Sequence, residues 1–210
     1  MKFDFESLAE EMRYKLMLAT VLPRPIAWVT SQDSNGVVNA APFSFFNAFG
    51  TEPATLGIGV GRNSPTQPKD TCLNIRATEE FVVNLVPFST AEKMLASSMP
   101  FPSHVSEVAA ADLRTAPSER VVPPRIAESP ASFECKFMQE IRLGGFSLIL
   151  GRIVMLHVRD EAVLDADRLH IDAGNLDLIG RMEGARYTRT RDKFEPSAEL
   201  AQALIAKHKR

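Results

Sequence analysis

Two long runs of residues joined by a pair of glycines restrict the fold of this chain more than any other feature. The runs ASFECKFMQEIRL (131–143) and FSLILGRIVMLHV (146–158) are rich in apolar and β-branched residues, and Gly144 and Gly145 separate them. Two such runs flanking a short glycine-containing connection are typical of a β-hairpin. The sequence therefore predicts a protein built around antiparallel strands.

A second hairpin is predicted nearer the N-terminus. The segment PIAWVTS (25–31) is apolar and β-branched, and it is followed by Asp-Ser-Asn-Gly, in which Asn-Gly favours a tight turn because both residues tolerate positive φ. NAAPFSFFNAFG (39–50) then supplies the return strand and the loop leaving it. Thr30 and Ser31 lie at the end of the first strand, where hydroxyl side chains suit either a ligand contact or an ordinary strand end.

The remaining segments add strands and a few helices. Strands are predicted at residues 53–62 and 81–87, an irregular segment at 100–130, and helices at 6–20, 69–80, 89–99 and 197–208. Strands separated by hairpins and a few inserted helices predict a mainly β protein with a closed or split antiparallel β-barrel. We expect a single domain over residues 1–210, with the barrel at about 21–195.

Composition and charge exclude several classes of function. With 45% hydrophobic residues the chain can bury a sizeable core, and its net charge of −2 provides no bulk attraction to nucleic acid or to an anionic membrane. No apolar stretch is long enough to span a bilayer, and the acidic N-terminal segment is unlike a secretory leader. Because the two cysteines, Cys72 and Cys135, are far apart, we expect a reduced, cytoplasmic protein.

The glycines of LGIGVGR (56–62) resemble a dinucleotide-binding loop at first sight. They alternate inside an apolar run, however, and Asn63, Pro65 and Pro68 follow where that loop requires a helix. A strand whose glycines permit the close approach of backbone or ligand fits the pattern better.

The predicted helix at residues 69–80 offers a candidate anion site. The first turn of a helix presents unpaired N–H groups and the positive end of the helix dipole. Lys69 precedes this turn, Arg62 ends the preceding strand, and Asp70 or Thr71 is the predicted cap, with the Thr71 hydroxyl as a further donor. From the residues alone, a solvated charged loop with an ordinary cap remains an alternative.

The crowded aromatic residues at 43–47 also have two interpretations. They form a plug of core side chains at a strand end, or the backbone of residues 44–47 runs along the edge of a flat heterocycle. In the second case Ser44 and Asn47 supplement the backbone donors and acceptors, and the phenylalanine rings contact the apolar part of the ring.

The other chemistry-bearing residues form no recognised arrangement. The four histidines have no metal-ligand spacing, and the sequence contains no nucleophile elbow and no phosphate-binding loop with its lysine. His157 alternates with apolar neighbours and is expected to face solvent or a subunit boundary. We therefore predict no metal site and nominate no catalytic acid, base or nucleophile.

Several blocks, taken in order, carry a family resemblance. LPRPIAWVTS, the Asn-Gly hairpin, NAAPFSFFNAFG, KDTCLNIRATEEFVVNLV, PPRIAESPASFECKF, LGRIVMLHV and IGRMEGARYTRTRDKF together resemble the flavin-reductase-like proteins with the FMN-binding split barrel. The resemblance spans roughly residues 20–195. It implies a split antiparallel β-barrel of about six strands, a homodimer, and FMN bound near the subunit interface.

The resemblance also implies which residues contact the flavin. Thr30 and Ser31 would reach its ribityl chain and phosphate. The edge of its isoalloxazine ring would be lined by Ser44, Phe45, Phe46 and Asn47, and its phosphate would be held by Arg62, Lys69, Asp70 and Thr71.

One position departs from the family pattern. Many of these reductases carry Gly-Asp-His or Gly-Ser-His at the bend before the LGRIV strand, whereas this chain has Gly-Gly-Phe-Ser, with Phe146 in the place of the histidine. Because that histidine usually lies near the nicotinamide or the flavin, the departure concerns nicotinamide handling and leaves the FMN prediction unchanged.

The activity implied by the resemblance is an NAD(P)H-dependent flavin reductase. NADH or NADPH would give a hydride to FMN, and electrons would pass to a second flavin, a ferric chelate, oxygen or a partner monooxygenase. Two alternatives stay open: an electron carrier of the flavoredoxin type that holds FMN, and a split barrel without flavin that serves as a binding or dimerisation module. Since the cofactor carries the redox step, the chain supplies position, electrostatics and access.

Overall fold

The main element is an eight-stranded antiparallel sheet, seen in a computed structural model that describes residues 1–64 and 67–206. The strands follow one another in the order β2-β1-β6-β9-β10-β4-β3, and β5 pairs with β4. Their bounds are β1 Ala27–Gln32, β2 Val38–Phe43, β3 Phe46–Thr51, β4 Ala54–Ser64, β5 Gln67–Pro68, β6 Glu80–Leu85, β9 Ala131–Leu143 and β10 Phe146–Val158. The sheet thus has two more strands than the resemblance implies, and the predicted long hairpin is confirmed as β9 and β10.

The two ends of the sheet are consecutive in the chain. β2 and β3 are separated only by Ser44 and Phe45, yet β2 lies at one end of the strand order and β3 at the other. The sheet therefore curls until its ends approach each other. At the connection between them, the Gly59 N–H on β4 donates to the Phe45 carbonyl at 2.6 Å, which continues the β3–β4 pairing by one residue beyond Phe46. The ladder does not close there, so the predicted antiparallel split barrel is confirmed.

Helices and small strand pairs decorate this sheet. The helices are α1 Glu10–Thr20, α2 Asp70–Thr78, α3 Ala91–Ala96, α4 Glu107–Ala110, α5 Ala173–Leu176 and α6 Ala198–Ala206, with 3₁₀ turns at Phe88–Thr90 and Asp160–Ala162. The short pairs are β7 Thr115–Ala116 with β8 Arg125–Ile126, β11 Val163–Asp165 with β12 His170–Ile171, and β13 Ile179–Arg181 with β14 Tyr187–Arg189.

The predicted helices are confirmed in kind but not in length. α1 begins four residues after the predicted start at residue 6, and α2 ends at Thr78 because Glu79 adopts a left-handed conformation with φ 58°. α3 is the middle of a predicted helix at 89–99: the first predicted residues form a 3₁₀ turn, and the last three follow the end of α3 as a turn. The end of the predicted helix at 197–208 lies outside the described residues.

The aromatic segment required a larger correction. The segment 39–50 is predicted to hold the return strand of the first hairpin and the loop leaving it, but a second strand, β3 at Phe46–Thr51, begins within it and pairs with β4. The strand was not recognised because two adjacent phenylalanines interrupt the alternation of apolar and polar residues. Phe45 is the last residue of the connection from β2. Phe46 is the first residue of β3, where it lies opposite Ile58 with its ring against the core.

The barrel interior is filled by alternate residues of the strands and by one face of α2. Cys72 and Ile75 of α2 pack against Ile58, Phe81 and the neighbouring side chains of the interior. On β10, a glycine is required at position 151, because a Cβ atom there would lie 2.3 Å from the Phe81 ring. α2 is thus fixed on the core by buried apolar contacts, which places its first turn at one end of the barrel.

A second apolar layer covers the outside of β1 and β2. Trp28 is fully buried among residues of α3 and of the segment after α4, including Met94 and Leu113, and its indole N–H donates to Ser97. Burial of a side chain of this size stabilises the fold by roughly 1.5–3 kcal/mol. This layer holds α3, α4 and the long segment between them against the barrel.

Two carboxylates hold the irregular segment at 100–130. Glu134 is fully buried; burial alone would raise its pKa, but hydrogen bonds from the N–H groups of Glu119 and Arg120 and from His157 give a net lowering. Glu80 accepts from the Val122 N–H in the same way. His157 does not simply face solvent, since its Nε2 lies 2.5 Å from a Glu134 oxygen and its side chain is 18% exposed. Its place at a subunit boundary stays a prediction.

Among the described residues, no helix is long and apolar enough to cross a membrane.

Candidate functional site

A row of glycines on β4 forms a platform for aromatic rings. Leu56, Ile58 and Val60 point into the barrel, so the alternate glycines at 57, 59 and 61 lie on the opposite face. A Cβ atom at Gly57 would lie 2.5 Å from Phe49, and one at Gly59 would lie 2.8 Å from Phe45. The alternating glycines therefore serve the close approach of side chains, as the strand interpretation predicted.

Three aromatic rings meet beside this platform. Phe45 lies 5.4 Å from Phe146 between ring centroids, and Tyr14 of α1 lies within 6.4 Å of both. Together with Ser44 and Gly59 they line a cleft of about 720 Å³, which extends along β4 to Arg62 and Lys69. This cleft, the ring cleft, is walled by aromatic rings at one end and reaches basic side chains at the other.

A second cleft of about 620 Å³ adjoins the ring cleft and is polar. The two share Pro42, Arg62 and Lys69, and the second extends to Asp70 and Thr71 at the start of α2. We call it the polar cleft. The N-cap residue of α2 is Lys69, so the predicted cap at Asp70 or Thr71 is wrong, and within residues 1–64 and 67–206 no side chain caps this helix.

The polar cleft carries both signs of charge. Thr71 accepts a hydrogen bond from the Asn39 amide at 3.1 Å, which fixes its side chain at the helix start. Glu107 of α4 also lines the cleft and accepts from the Ala40 N–H, and burial raises the pKa of this carboxyl. Lys69 and Arg62 thus lie beside two carboxyl groups, those of Asp70 and Glu107.

A larger cleft, of about 1230 Å³, is mostly apolar and lies on the other side of the aromatic rings. It shares Tyr14, Phe45 and Phe146 with the ring cleft and adds Phe46, Asn47 and further apolar side chains of β3 and β10. α1 forms one wall of this apolar cleft, although none of the α1 residues is buried.

Arg24 connects α1 to the segment that lines the clefts, and the sequence analysis did not identify it. Its guanidinium donates to the carbonyls of Leu18 and Val21 at the end of α1, to the Met182 carbonyl, and to the Ser44 hydroxyl at 3.4 Å. It is 4% exposed. Arg24 thereby ties the end of α1 to the junction between β2 and β3, and only the tertiary structure shows this.

Eight of the ten predicted site residues line these three connected clefts. They are Ser44, Phe45, Phe46, Asn47, Arg62, Lys69, Asp70 and Thr71. Thr30 and Ser31 do not line the clefts, and both are fully buried. The Thr30 hydroxyl donates to the Pro124 carbonyl at 2.6 Å, and the Ser31 hydroxyl accepts from the Asn74 amide. These two hydroxyls therefore form hydrogen bonds inside the protein.

A fourth, smaller pocket of about 210 Å³ opens beside the ring cleft and shares Gly61 and Arg62 with it. Arg76 of α2 and Arg142 of β9 line it with Arg62, so we call it the arginine pocket. Glu140 binds Arg76 through both carboxylate oxygens, at 2.5 and 2.9 Å. The sequence analysis did not identify this pocket, because its arginines lie on separate segments.

The geometry suits a ligand with a flat ring and an anionic tail. Aromatic side chains and strand backbone line one end of the connected clefts, while Lys69, Arg62 and an uncapped helix start line the other. A mononucleotide of the flavin type has this distribution of apolar and anionic groups. Among the described residues, no group of three or more histidine, cysteine, aspartate or glutamate side chains is placed to hold a metal ion.

Comparisons with known proteins agree with this geometry. The flavin reductase like domain matches residues 18–173, so the chain belongs to the flavin-reductase-like family. An uncharacterized protein of Deinococcus radiodurans is 42% identical over 198 residues, covering 92% of this chain and 87% of that protein. These relations support a flavin cofactor and an oxidoreductase.

Two solved structures share the fold closely. Nitrilotriacetate monooxygenase component B from Bacillus cereus has a TM-score of 0.88 at 30% identity, over 93% of this chain and 98% of that one. The 2-nitrobenzoate 2-nitroreductase of Pseudomonas fluorescens has a TM-score of 0.86 at 34% identity, over 94% and 96%. The fold of this chain is thus a flavin-reductase-like split barrel.

The Glu140→Gln variant tests the ion pair behind the arginine pocket. Hydrogen bonds from Arg76 and Ser147 hold the pKa of Glu140 at about 2, so its contribution to stability is full above about pH 4.5 and is lost as the pH falls through 2. We expect the variant to be about 1–2 kcal/mol less stable than the parent at pH 7, with a smaller difference at pH 3, by urea denaturation. The exposed Glu52→Gln is the control; a difference that stays constant with pH would contradict the assignment.

Proposed function

We propose that this protein is an FMN-dependent oxidoreductase, most simply an NAD(P)H-dependent flavin reductase. The observation that carries the proposal is the continuity of the ring cleft with the polar cleft, which places an aromatic surface and a basic, uncapped helix start along one groove. The family and the two structural neighbours support the flavin; FMN and the nicotinamide reductant are our inference.

The chain's residues divide into two groups around the proposed cofactor. Ser44 and Phe45, with Phe46 and Asn47 on the adjoining face, line the isoalloxazine end. Arg62, Lys69, the Thr71 hydroxyl and the backbone N–H groups at Asp70 and Thr71 hold the phosphate. When bound, FMN would supply the chemistry, accepting a hydride and passing electrons onward.

The aromatic residues and α1 control access to the ring end. Tyr14 and Phe146 stand over the same cleft as Phe45, and Arg24 holds the end of α1 in place beside it. These side chains exclude water from one side of the groove and position a second flat molecule against the flavin. Phe146 occupies the place of the family's usual histidine. At this position the chain would therefore contact the flavin or the nicotinamide by ring stacking and not by a hydrogen bond.

NADH or NADPH is the proposed reductant, and the proposed acceptors are a second flavin, a ferric chelate, oxygen or a partner monooxygenase. The neighbour named as a monooxygenase component supports a partner enzyme, and the neighbour named as a nitroreductase supports direct reduction of an aromatic acceptor. The second candidate is an electron carrier that holds FMN without nicotinamide activity, which Phe146 favours.

We also propose a cytoplasmic homodimer. Both cysteines are free and buried, which suits a reducing compartment. α1 has no buried residue, and Met12, Tyr14 and Met17 on it are 42–49% exposed beside the apolar cleft, near the 61% exposed Phe49. A second copy of the chain covering this surface would close the flavin groove on its open side.

The absorbance spectrum tests the function directly. Purified protein reconstituted with FMN is titrated with NADH and NADPH without oxygen, and we expect bleaching of the visible flavin band within a catalytic time by at least one nucleotide. Bleaching by dithionite alone would favour the electron carrier. A colourless protein whose melting temperature does not rise with FMN would contradict flavin binding altogether.

The combined change Lys69→Ala and Thr71→Ala tests the phosphate end. We expect FMN affinity to fall by at least tenfold, because a charge and a hydroxyl donor near the phosphate are lost, while riboflavin, which has no phosphate, loses little. Fluorescence titration of both ligands measures this. Equal losses for FMN and riboflavin would place the phosphate elsewhere.

Two glycine variants form a matched test of the ring end. Gly59→Ala places a methyl group 2.8 Å from the Phe45 Cβ, whereas at Gly61 the nearest atom, on the Phe146 ring, is 3.4 Å away. We expect Gly59→Ala to weaken both FMN and riboflavin about tenfold by displacing Phe45, and Gly61→Ala to have a much smaller effect. Equal effects would show that the position of Phe45 does not matter for the ring.

A further inference from the structure

The arginine pocket lies outside the groove that the proposed function uses, but it borders that groove. Gly61 and Arg62 line both the arginine pocket and the ring cleft, and Phe146 and Ser147, adjacent in the chain, line one each. A molecule whose reactive ring lies in the ring cleft can therefore extend a second group into the arginine pocket.

Arg76 is held in a fixed orientation at the wall of this pocket. Its guanidinium binds Glu140 with two parallel hydrogen bonds, and the Ser147 hydroxyl donates to the same carboxylate at 2.6 Å. The side chain of Glu140 is only 12% exposed, so this group stays ordered. A guanidinium fixed in this way binds a further anion with a smaller loss of side-chain entropy.

The charges around the pocket favour an anion. Arg62, Arg76 and Arg142 line it, and among the described residues no aspartate or glutamate does. Glu140 is paired with Arg76, and its Oε1 lies 3.9 Å from the Nε of Arg142. Cys72 and Ser147 complete the lining with small groups. A volume of about 210 Å³ is large enough for one phosphate group.

We infer that the arginine pocket binds a phosphate group of the nicotinamide dinucleotide that reduces the flavin. This inference rests on the proposed function, because it assigns the ring cleft to the flavin and the reacting nicotinamide. Arginine recognises phosphate through paired N–H donors. Arg142 is a binding residue of this pocket, and Arg76, oriented by Glu140, is its fixed partner.

Arg142→Ala is the variant that tests the inference. Its side chain is 72% exposed and its nearest carboxylate is that of Glu140, so its removal leaves the Arg76–Glu140 pair intact. Arg152→Ala, which removes an exposed arginine from β10 outside the pocket, is the matched control. Both variants are loaded with FMN, and their FMN affinity is measured first.

The binding probes are adenosine 2′,5′-bisphosphate, ADP and inorganic phosphate, measured by calorimetry. We expect Arg142→Ala to weaken at least one of the adenosine phosphates about tenfold and to raise the KM of the matching dinucleotide with kcat unchanged. A loss confined to adenosine 2′,5′-bisphosphate and NADPH assigns the pocket to the 2′-phosphate. A loss shared by ADP, NADH and NADPH assigns it to the pyrophosphate; either result supports the inference.

Three outcomes overturn the inference. One is unchanged binding of every adenosine phosphate by Arg142→Ala; another is an equal loss with Arg152→Ala. The third is weakened FMN or inorganic phosphate with dinucleotide binding intact, which assigns the pocket to the flavin phosphate or to a free ion. If the parent protein binds FMN but neither nucleotide bleaches it, the proposed reductase fails, and the calorimetry still decides whether the pocket recognises nucleotide phosphate.

Discussion

The structure depends on the close contact between β4 and the segment that runs beside it from Phe45 into β3. Because β4 carries glycines at alternate positions, Phe45 and Phe49 can lie directly on its outer face, and the Gly59 N–H can reach the Phe45 carbonyl. This contact extends the β3–β4 pairing to the two-residue connection from β2, which lies at the other end of the strand order. A side chain on β4 at Gly57 or Gly59 would displace the phenylalanine ring that lies against it.

The candidate site follows from the same contact. Where the ladder stops, backbone groups and aromatic rings face a groove instead of another strand, and buried contacts of Cys72 and Ile75 fix the start of α2 at the other end of that groove. Arg24 ties α1 to the same junction. One break in a sheet thus creates a place for a flat ring and, at a fixed separation, a place for an anion.

Local sequence signals predicted the fold well. The position of Gly144 and Gly145 predicted the bounds of β9 and β10 correctly. The Asn-Gly pair predicted the turn between β1 and β2, where Gly36 adopts a φ of 87°. β3 was missed because neighbouring phenylalanines obscure its alternation. Helix ends were the least accurate, since they depend on features such as the left-handed Glu79.

Short stretches of the chain account for most of the predicted residues that line the clefts. Residues 44–47 and 69–71 line them together with Arg62, whereas Arg24 and the arginine pocket depend on tertiary contacts that no local pattern reports. Thr30 and Ser31 were carried over from the family resemblance, and burial in the core removes both side chains from the clefts. FMN itself came from the resemblance. From the residues alone, a flat ring at 43–47 and an anion at the start of α2 were each one of two interpretations.

A crystal structure of the protein soaked with FMN tests the central claim most directly. The account predicts density for the isoalloxazine ring beside Phe45, with the phosphate at Lys69 and Thr71. A ring cleft filled by the protein's own side chains, or FMN bound elsewhere on the molecule, would contradict it.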